Sequence, residues 1–269
     1  MEIRRQMYFC VKASAMKILL SPAKSIDTSN TPICQDVTLP YFEKETLTLV
    51  KKLAKMNVKK IMDLMSISRD LAELNVQRFK QFEFPNCQTT EIVPAAFAFS
   101  GEVYRGLDIR TLSSDELERA NTSIRILSGL YGCLKPLDLL TPYRLEMGTR
   151  WEISAKVKSL YQFWGLKPTD LLNSELENGE TIINLASAEY FKVIDQKRLK
   201  NDVVTPVFKE FKDGQYKIVM MYAKHARGAM ARYILQNDLK HPEELKTYSE
   251  DGYGFAENLS SEKEWVFVR

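Results

Sequence analysis

Short apolar runs, each followed at once by a polar break, set the strongest limit on how this chain folds. "MKILL" at 16–20 leads into "SPAK", and "SIRIL" at 123–127 leads into "SGLYG". Short apolar runs of this length are typical of strands that are buried on both faces of a sheet. The same pattern predicts further strands at 91–99, 181–186, 203–208, 216–222 and 264–269.

Amphipathic stretches between these runs predict helices. Apolar residues recur at helical spacing in 43–65, 69–82 and 224–238, and serine followed by acidic residues marks a helix start at 113–121. A further short helix is predicted at "HPEEL", and the turn "KDGQ" predicts a hairpin between 203–208 and 216–222. Strands mixed with helices and a hairpin predict an α/β fold with a mixed central sheet.

One compact domain over 16–269 is the domain organisation that we expect. Residues 1–15 fall before the first predicted strand, and we expect them to be a poorly ordered N-terminal extension. The helices predicted within 43–82 leave open the alternative of a separate subdomain. No apolar run approaches the roughly 20 residues that a membrane-spanning helix needs.

Composition and motif content exclude several classes of site. The apolar share of 45% and the charged share of 27% are those of an ordinary globular protein. The 4 cysteines (Cys10, Cys34, Cys87 and Cys133) form no CxxC pair, which favours reduced thiols, and with only 2 histidines a zinc site is not expected. The sequence contains no GxGxxG, Walker, GxSxG or HExxH motif, so we expect no cofactor and no metal.

Polar and charged residues follow the ends of the predicted strands. Four of the runs end in serine, at Ser21, Ser100, Ser128 and Ser187. Ligand-binding groups of open α/β sheets gather outside the carboxyl ends of the strands, so parallel strands would bring the following side chains into one pocket. The alternative is that serine simply suits the turns at strand ends. The side chains that would converge are Lys24, Glu102, Arg105, Glu189, Lys224 and Arg227.

The stretch "LSGLYGCLKPLDLLTPYRLEMG" at 127–148 is an unusually rigid connection after a buried strand. Its glycines allow close backbone approach, and its prolines fix φ. We expect it to form one wall of a cleft, with Arg144 presenting a planar donor pair to a phosphate or carboxylate and Glu146 orienting a basic neighbour. The competing interpretation is an internal ion pair between Arg144 and Glu146 that only holds the loop.

A lysine-rich segment precedes a stretch that fits the helix-hairpin-helix template. In "IMDLMSISRDLA", Ile61, Leu64 and Ile67 take the apolar positions and Ala72 takes the small one. Hairpin amides and a helix N-terminus hold DNA phosphates in such motifs without reading bases. Serines stand where hairpin glycines are usual, and a solvated lysine face is the alternative. The phosphate contacts that we predict, including the strand-end residues, are Lys55, Lys59, Lys60, Ser66, Ser68, Arg69, Lys24, Arg144, Lys224 and Arg227.

Six segments together give the chain a family resemblance. They are "MKILLSPAKS", "LMSISRDLAELNVQRF", "LSGLYGCLKPLDLLTPYRLEMGTR", "YQFWG", "IINLASAEYFK" and "YAKHARGAMARYI". From Met16 onward the sequence resembles the bacterial YaaA family of peroxide-stress proteins. The resemblance implies a cytoplasmic protein that limits oxidative damage by lowering unincorporated iron. It also implies a single α/β domain with a positively charged cleft, and binding of duplex and distorted DNA through a helix-hairpin-helix element, here at 61–72. It brings no established catalytic residues.

Three functions therefore remain open at the level of sequence. The first, which we favour, is a DNA-binding protein without enzymatic activity that acts in the peroxide response. The second is an enzyme that acts on a phosphorylated or nucleic-acid substrate in a pocket at the strand ends. The third is a partner protein in iron handling, for which the separated Glu102, Glu146 and Glu189 are weak ligand candidates.

Overall fold

The computed structural model describes residues 16–29, 37–85 and 92–269. The predicted extension at 1–15 lies outside the described residues, as do Cys10, Cys34 and Cys87. Cys133 is a buried thiol. Burial raises its pKa to about 12, so the side chain is neutral at physiological pH.

Strands of the described part form one large sheet and two small ladders. The strands are β1 (Met16–Leu20), β2 (Ser25–Ile26), β3 (Val93–Pro94), β4 (Phe99–Ser100), β5 (Ile124–Ser128), β6 (Gly132–Leu134), β7 (Leu139–Leu140), β8 (Thr181–Asn184), β9 (Val203–Lys212), β10 (Gln215–Lys217), β11 (Gly254–Phe255) and β12 (Glu264–Val268). The large sheet has 8 strands in the order β11-β12-β9-β8-β1-β5-β6, with β10 paired to β9. In the small ladders, β2 pairs with β4, and β3 pairs with β7.

The centre of the large sheet is parallel. Strand β1 lies between β5 and β8, with Ile18 opposite Ile124 on one side and Ile183 on the other. Strands β8, β9 and β12 continue the parallel arrangement, and antiparallel β6, β10 and β11 border it. Every residue of β1 and β5 is buried, as expected for strands covered on both faces. The mixed α/β fold predicted from the sequence is therefore confirmed.

Helices cover the sheet and share its core. Leu49, Ile61 and Phe79 of the first helices belong to the same buried cluster as Ile18 of β1, so 43–80 is not a separate subdomain. The helices are α1 (Glu43–Leu53), α2 (Val58–Met65), α3 (Arg69–Lys80), α4 (Ala95–Ala98), α5 (Glu102–Leu107), α6 (Ser114–Ser123), α7 (Leu160–Trp164), α8 (Lys167–Glu175), α9 (Ala188–Phe191) and α10 (Met220–Gln236), with 3₁₀ turns at Ile109–Thr111, Pro242–Thr247, Glu250–Gly252 and Glu257–Leu259.

Three sequence-based predictions of secondary structure are wrong in part. The predicted strand at 91–99 keeps strand structure only at β3 and β4, and the intervening "AAFA" forms the short helix α4. The predicted strand at 216–222 ends at Lys217, because α10 already begins at Met220. The predicted helix at 43–65 is two helices, since Asn57 caps α2 by accepting a hydrogen bond from the Lys60 amide at 3.0 Å.

Candidate functional site

A cavity of about 600 Å³ lies at the carboxyl ends of β1 and β8. Ser21 follows β1 and Ser187 follows β8, and because these strands are parallel neighbours the two serines meet at the same edge. The Ser187 amide donates to the Ser21 hydroxyl oxygen at 2.9 Å, and the two hydroxyl oxygens are 3.3 Å apart. The Tyr104 hydroxyl donates to the Ser21 carbonyl at 3.0 Å. This hydrogen-bonded edge forms the floor of what we call the strand-end cavity.

Helices α5 and α10 supply the opposite wall of the strand-end cavity. Glu102 comes from α5, and Lys224 and Arg227 come from adjacent turns of α10. The two helices pack so closely that a Cβ atom added at Gly228 would lie 1.8 Å from the Val103 carbonyl oxygen, and one at Gly106 would lie 2.2 Å from the His225 carbonyl oxygen. Glycine at both positions is thus required for the approach that fixes this wall.

The lining of the strand-end cavity balances acids and bases. Among the described residues, Lys24, Lys224 and Arg227 face Glu102, Glu146 and Glu189. The positively charged cleft that the family resemblance implied is therefore a mixed-charge cavity on this side of the molecule. The acids are already engaged: Arg105 contacts Glu102 at 2.8 Å, Lys24 contacts Glu146 at 2.9 Å, and the Gly148 amide donates to Glu189 at 2.9 Å.

Arg227 differs from the other basic residues of the cavity. Its side chain is half-buried, yet it forms no hydrogen bond or ion pair with another described residue. Desolvation lowers the pKa of its guanidinium, and no acidic neighbour opposes that effect. An arginine in such a position keeps its charge, because its pKa lies far above neutrality. Arg227 thus brings to the lining of the strand-end cavity N–H donors that no described residue uses.

The rigid stretch at 127–148 packs as a buried wall. The Trp164 indole donates to the Gly129 carbonyl at 3.0 Å, and a Cβ atom added at Gly129 would lie 2.4 Å from the Leu145 carbonyl oxygen. Ser128 is buried and lies 2.6 Å from the Tyr143 hydroxyl. Ser128 therefore does not line the strand-end cavity, unlike the three other strand-end serines.

Arg144 and Glu146 lie where this wall meets a second cavity. One oxygen of Glu146 contacts Arg144 at 3.3 Å, and the other contacts Lys24. The second cavity, of about 510 Å³, is lined by Arg144 and Arg150 and also by Ser66. Lys24 and Glu146 border both cavities. Their ion pair, which we call the partition, therefore lies between the strand-end cavity and the second cavity, which the turn at Ser66 lines.

Helices α2 and α3 form a tight hairpin around that turn. Ser66 ends α2 with φ 51° and ψ 52°, in the left-handed region that favours glycine. Ser68 begins α3, and its hydroxyl accepts a hydrogen bond from the Leu71 amide at 3.4 Å. Ile61 and Ala72 are fully buried between the helices and the core. Ser66 thus adopts the conformation for which hairpin glycines are normally used.

Basic side chains project from this hairpin into solvent. Lys55, Lys59 and Lys60 are exposed and form no ion pair with another described residue. Arg69, at the first position of α3, is exposed and contacts Glu73 at 2.8 Å. Asp63 and Asp70 are the nearby acids of the same helices. None of these four basic residues lines the strand-end cavity, which Lys24, Lys224 and Arg227 line, whereas Ser66 and Arg144 line the second cavity together with Lys24.

Several residues that line the strand-end cavity were not predicted from the sequence. Tyr190 and Met220 line it, and Val103 contributes apolar surface. Arg105, which was expected there, instead lines a neighbouring cavity where His225 lies 3.5 Å from Asp251. Within 16–29, 37–85 and 92–269, no group of three or more His, Cys, Asp or Glu side chains is placed to hold a metal ion.

Comparison with known proteins places nearly the whole chain in one family. The sequence profile of the family described as peroxide stress protein YaaA matches residues 16–259. A UPF0246 protein of Aliivibrio fischeri (strain ATCC 700601 / ES114) is 48% identical over 256 residues, which cover 94% of this chain and 98% of that protein. UPF0246 proteins of Burkholderia thailandensis and Cupriavidus metallidurans are each 46% identical, over 258 and 259 residues, with the same coverage of 94% and 98%.

No helix of the described residues is both long and apolar enough to cross a bilayer. The residues that the family profile matches include β1, the α2–α3 hairpin, the rigid wall and α10. The chain belongs to the family of peroxide stress protein YaaA.

Proposed function

We propose that this protein binds the DNA backbone through the α2–α3 hairpin, and that it does so in the cytoplasm during the peroxide response to limit iron-driven damage. The observation that carries the proposal is the left-handed Ser66 between two capped helices. That conformation lets the chain reverse within Ser66, Ile67 and Ser68, so that the start of α3 is presented to solvent. The family places the protein in peroxide stress, and the hairpin supplies a physical means of reaching DNA.

The start of α3 has the properties of a phosphate contact. The first amides of a helix have no intrahelical partner, and the helix dipole favours an anion there. Ser68 satisfies the Leu71 amide, which leaves the amides of Arg69 and Asp70 without a hydrogen bond to another described residue. Arg69 adds a cationic side chain at the same end, and its exposed pair with Glu73 is weak enough to be exchanged for a phosphate.

The lysines next to the hairpin extend this surface. Lys59 and Lys60 lie in the first turn of α2, and Lys55 lies in the turn before it. Their charges are not neutralised by ion pairs with described residues, so each is available to displace a counterion from DNA. Contacts of this type go to the phosphate backbone and carry no sequence information. Binding that is sensitive to salt and insensitive to sequence follows.

Backbone binding offers a direct route to protection from iron. Ferrous ions concentrate at DNA phosphates, and basic side chains that occupy those phosphates displace cations from them. The proposed role therefore needs no iron site within the protein.

The test is DNA binding across a salt series. Fluorescence anisotropy on two unrelated duplexes and one bubble substrate is expected to give similar affinities that fall steeply between 50 and 200 mM salt. Arg69→Gln is expected to weaken binding to all three, and Lys197→Gln, an exposed lysine outside the hairpin, is the matched control. No binding at low salt, or affinity that does not change with salt, would rule the proposal out.

Protection is tested separately. Supercoiled plasmid exposed to ferrous iron and peroxide is expected to be nicked less in the presence of the protein, at concentrations that match its DNA occupancy. The Arg69→Gln variant is expected to protect in proportion to its weaker binding. Equal protection by a variant that no longer binds DNA would mean that the protein acts on iron or peroxide directly.

A further inference from the structure

The strand-end cavity has the features of a small-molecule site that is distinct from the DNA surface. We propose that it binds the phosphoryl group of a small phosphate monoester with an apolar body, and that Arg227 is the main anchor of that group. The inference concerns binding, and it is independent of whether the α2–α3 hairpin contacts DNA.

The charge balance of the cavity favours an anion. The cavity itself contributes three basic and three acidic side chains, but two of the acids are compensated from outside its lining. Arg105 neutralises Glu102, and Arg144 contacts Glu146 in addition to Lys24. When these partners are included, Glu189 is the one lining acid of the described residues that has no cationic partner, whereas Lys224 and Arg227 are unpaired. An excess of positive charge therefore faces the cavity.

The position of Arg227 points to a specific ligand group. A half-buried guanidinium without a partner among the described residues has lost part of its hydration, and no hydrogen bond or ion pair replaces that water. Its burial therefore costs free energy unless a ligand accepts its hydrogen bonds. Lys224 lies three residues earlier on α10, on the same face of the helix. The planar guanidinium of Arg227 can donate two parallel hydrogen bonds, and the ammonium of Lys224 lies one helical turn away. Together they suit a phosphate dianion, which has three terminal oxygens, better than a carboxylate, which has two.

The remaining lining determines what else the ligand carries. The hydroxyl groups of Ser100 and Ser187 can donate to phosphoryl oxygens, and they lie at strand ends where such groups converge. Pro22, Val103 and Met220 provide apolar surface. The volume of about 600 Å³ exceeds that needed for phosphate alone and lies in the range of small-ligand pockets. A phosphate ester with an apolar or ring-bearing body fits all three properties.

The experiment compares three probes by calorimetry and thermal shift at constant ionic strength. Phenyl phosphate carries both expected features, inorganic phosphate carries one, and phenol carries the other. We expect phenyl phosphate to bind about tenfold more tightly than inorganic phosphate, and phenol to show no measurable binding. Absence of phenyl phosphate binding up to about 10 mM, or equal binding of phenol, would overturn the proposal.

Variants assign the binding to the cavity. Arg227→Gln is expected to weaken phenyl phosphate binding by at least about tenfold, and Arg227→Lys is expected to be intermediate because it keeps the charge but loses the fork. Lys263→Gln removes an exposed charge outside the cavity, and it is expected to change the affinity less than about twofold. Binding that survives Arg227→Gln unchanged would show that the site lies elsewhere.

Stability without ligand separates a binding role from a structural one. Since Arg227 has no partner among the described residues to lose, Arg227→Gln is expected to leave the melting temperature of the free protein unchanged or raised, and to abolish its increase with phenyl phosphate. A lowered melting temperature in the free variant would contradict the assignment. Lys224→Gln, at an exposed position, is a second test that leaves the fold intact, with an expected loss of about threefold.

The same variants keep this inference apart from the proposed DNA binding. Arg227→Gln is expected to leave DNA affinity unchanged, and Arg69→Gln is expected to leave phenyl phosphate affinity unchanged. If Arg227→Gln abolished both, the cavity would be part of the DNA site and the inference of a separate small-molecule site would fall. Loss of DNA binding alone in Arg69→Gln is the result expected for two separate sites, whereas loss of DNA binding alone in Arg227→Gln would overturn the inference.

Discussion

Gly228→Ala is expected to force α10 and α5 apart. The added Cβ atom would lie 1.8 Å from the Val103 carbonyl oxygen and 2.8 Å from the Leu107 amide nitrogen, both of which are backbone atoms. Ordinary contact begins at 3.4 Å, so the helices must separate locally by about 1.6 Å, which is 3.4 minus 1.8. No side chain can rotate away to relieve the clash.

The cost can be estimated from two opposing effects. Overpacking a rigid interior typically costs about 1–3 kcal/mol, and a clash between backbones belongs at the upper end of that range. Alanine is a better helix former than glycine by about 1 kcal/mol, which offsets part of the cost. We therefore expect the free energy of unfolding to fall by about 2 kcal/mol, measured by urea denaturation monitored by circular dichroism.

A matched glycine variant isolates the steric effect. A Cβ atom added at Gly254 meets no atom within 4 Å, so Gly254→Ala is expected to change stability by less than about 0.5 kcal/mol. Because α10 carries Lys224 and Arg227, Gly228→Ala is also expected to weaken binding in the strand-end cavity. A Gly228→Ala protein that is as stable as the parent, or about 1 kcal/mol more stable, would show that helix propensity outweighs the packing described here.

Three further predictions concern the ion pair between Arg144 and Glu146, the buried carboxyl group of Asp138, and the binding of ferrous iron. Arg144→Ala is expected to lower the free energy of unfolding by about 1–2 kcal/mol in urea denaturation. This is less than the ~3–5 kcal/mol typical of a broken buried ion pair, because Glu146 keeps its 2.9 Å contact with Lys24. A larger loss would mean that Lys24 does not compensate for the missing arginine. Burial raises the pKa of Asp138 to about 6, so the folded state binds this proton more tightly than the unfolded state, and the contribution of Asp138 to the free energy of unfolding is expected to fall by roughly 2 kcal/mol between pH 4 and pH 6. The free energy of unfolding of the parent minus that of Asp138→Asn is expected to fall between pH 4 and pH 6. A difference that rises with pH would refute the prediction. Anaerobic titration with ferrous iron is expected to leave no retained equivalent of metal after desalting, and a retained equivalent would favour a role in direct iron handling.

Burial on both faces explains which strands could be predicted. β1, β5 and β8 lie in the parallel centre of the sheet, and their short, largely apolar runs predict them correctly. The run at 91–99 failed because a short buried helix and a buried strand look alike in composition, and "AAFA" forms α4. The strand prediction at 216–222 was wrong for a different reason. Met220, Met221 and Tyr222 are apolar but exposed, so these apolar residues do not mark a buried strand.

The candidate site could be predicted only as far as chain topology determines it. Parallel strands bring Ser21 and Ser187 together, and that follows from the sequence once the strands are recognised. That Arg227 has no partner in the part of the chain that the structure describes depends instead on where the nearby acidic side chains point. Likewise, the sequence shows serine in place of glycine at residue 66, but the left-handed backbone that makes the two equivalent is a property of the folded hairpin.

The most direct test of the account is the salt dependence of DNA binding with and without the hairpin lysines. The slope of log affinity against log salt measures the number of phosphates that are neutralised, at about 0.9 per contact. The parent protein is expected to show a slope of about −3 or steeper, because Lys55, Lys59 and Lys60 are exposed and unpaired among the described residues.

Replacing these three lysines together with glutamine is expected to bring that slope to about −1, the contribution that remains from Arg69. The triple variant should fold as the parent does, since all three side chains are exposed. An unchanged slope in a folded triple variant would contradict the assignment of DNA binding to the α2–α3 hairpin.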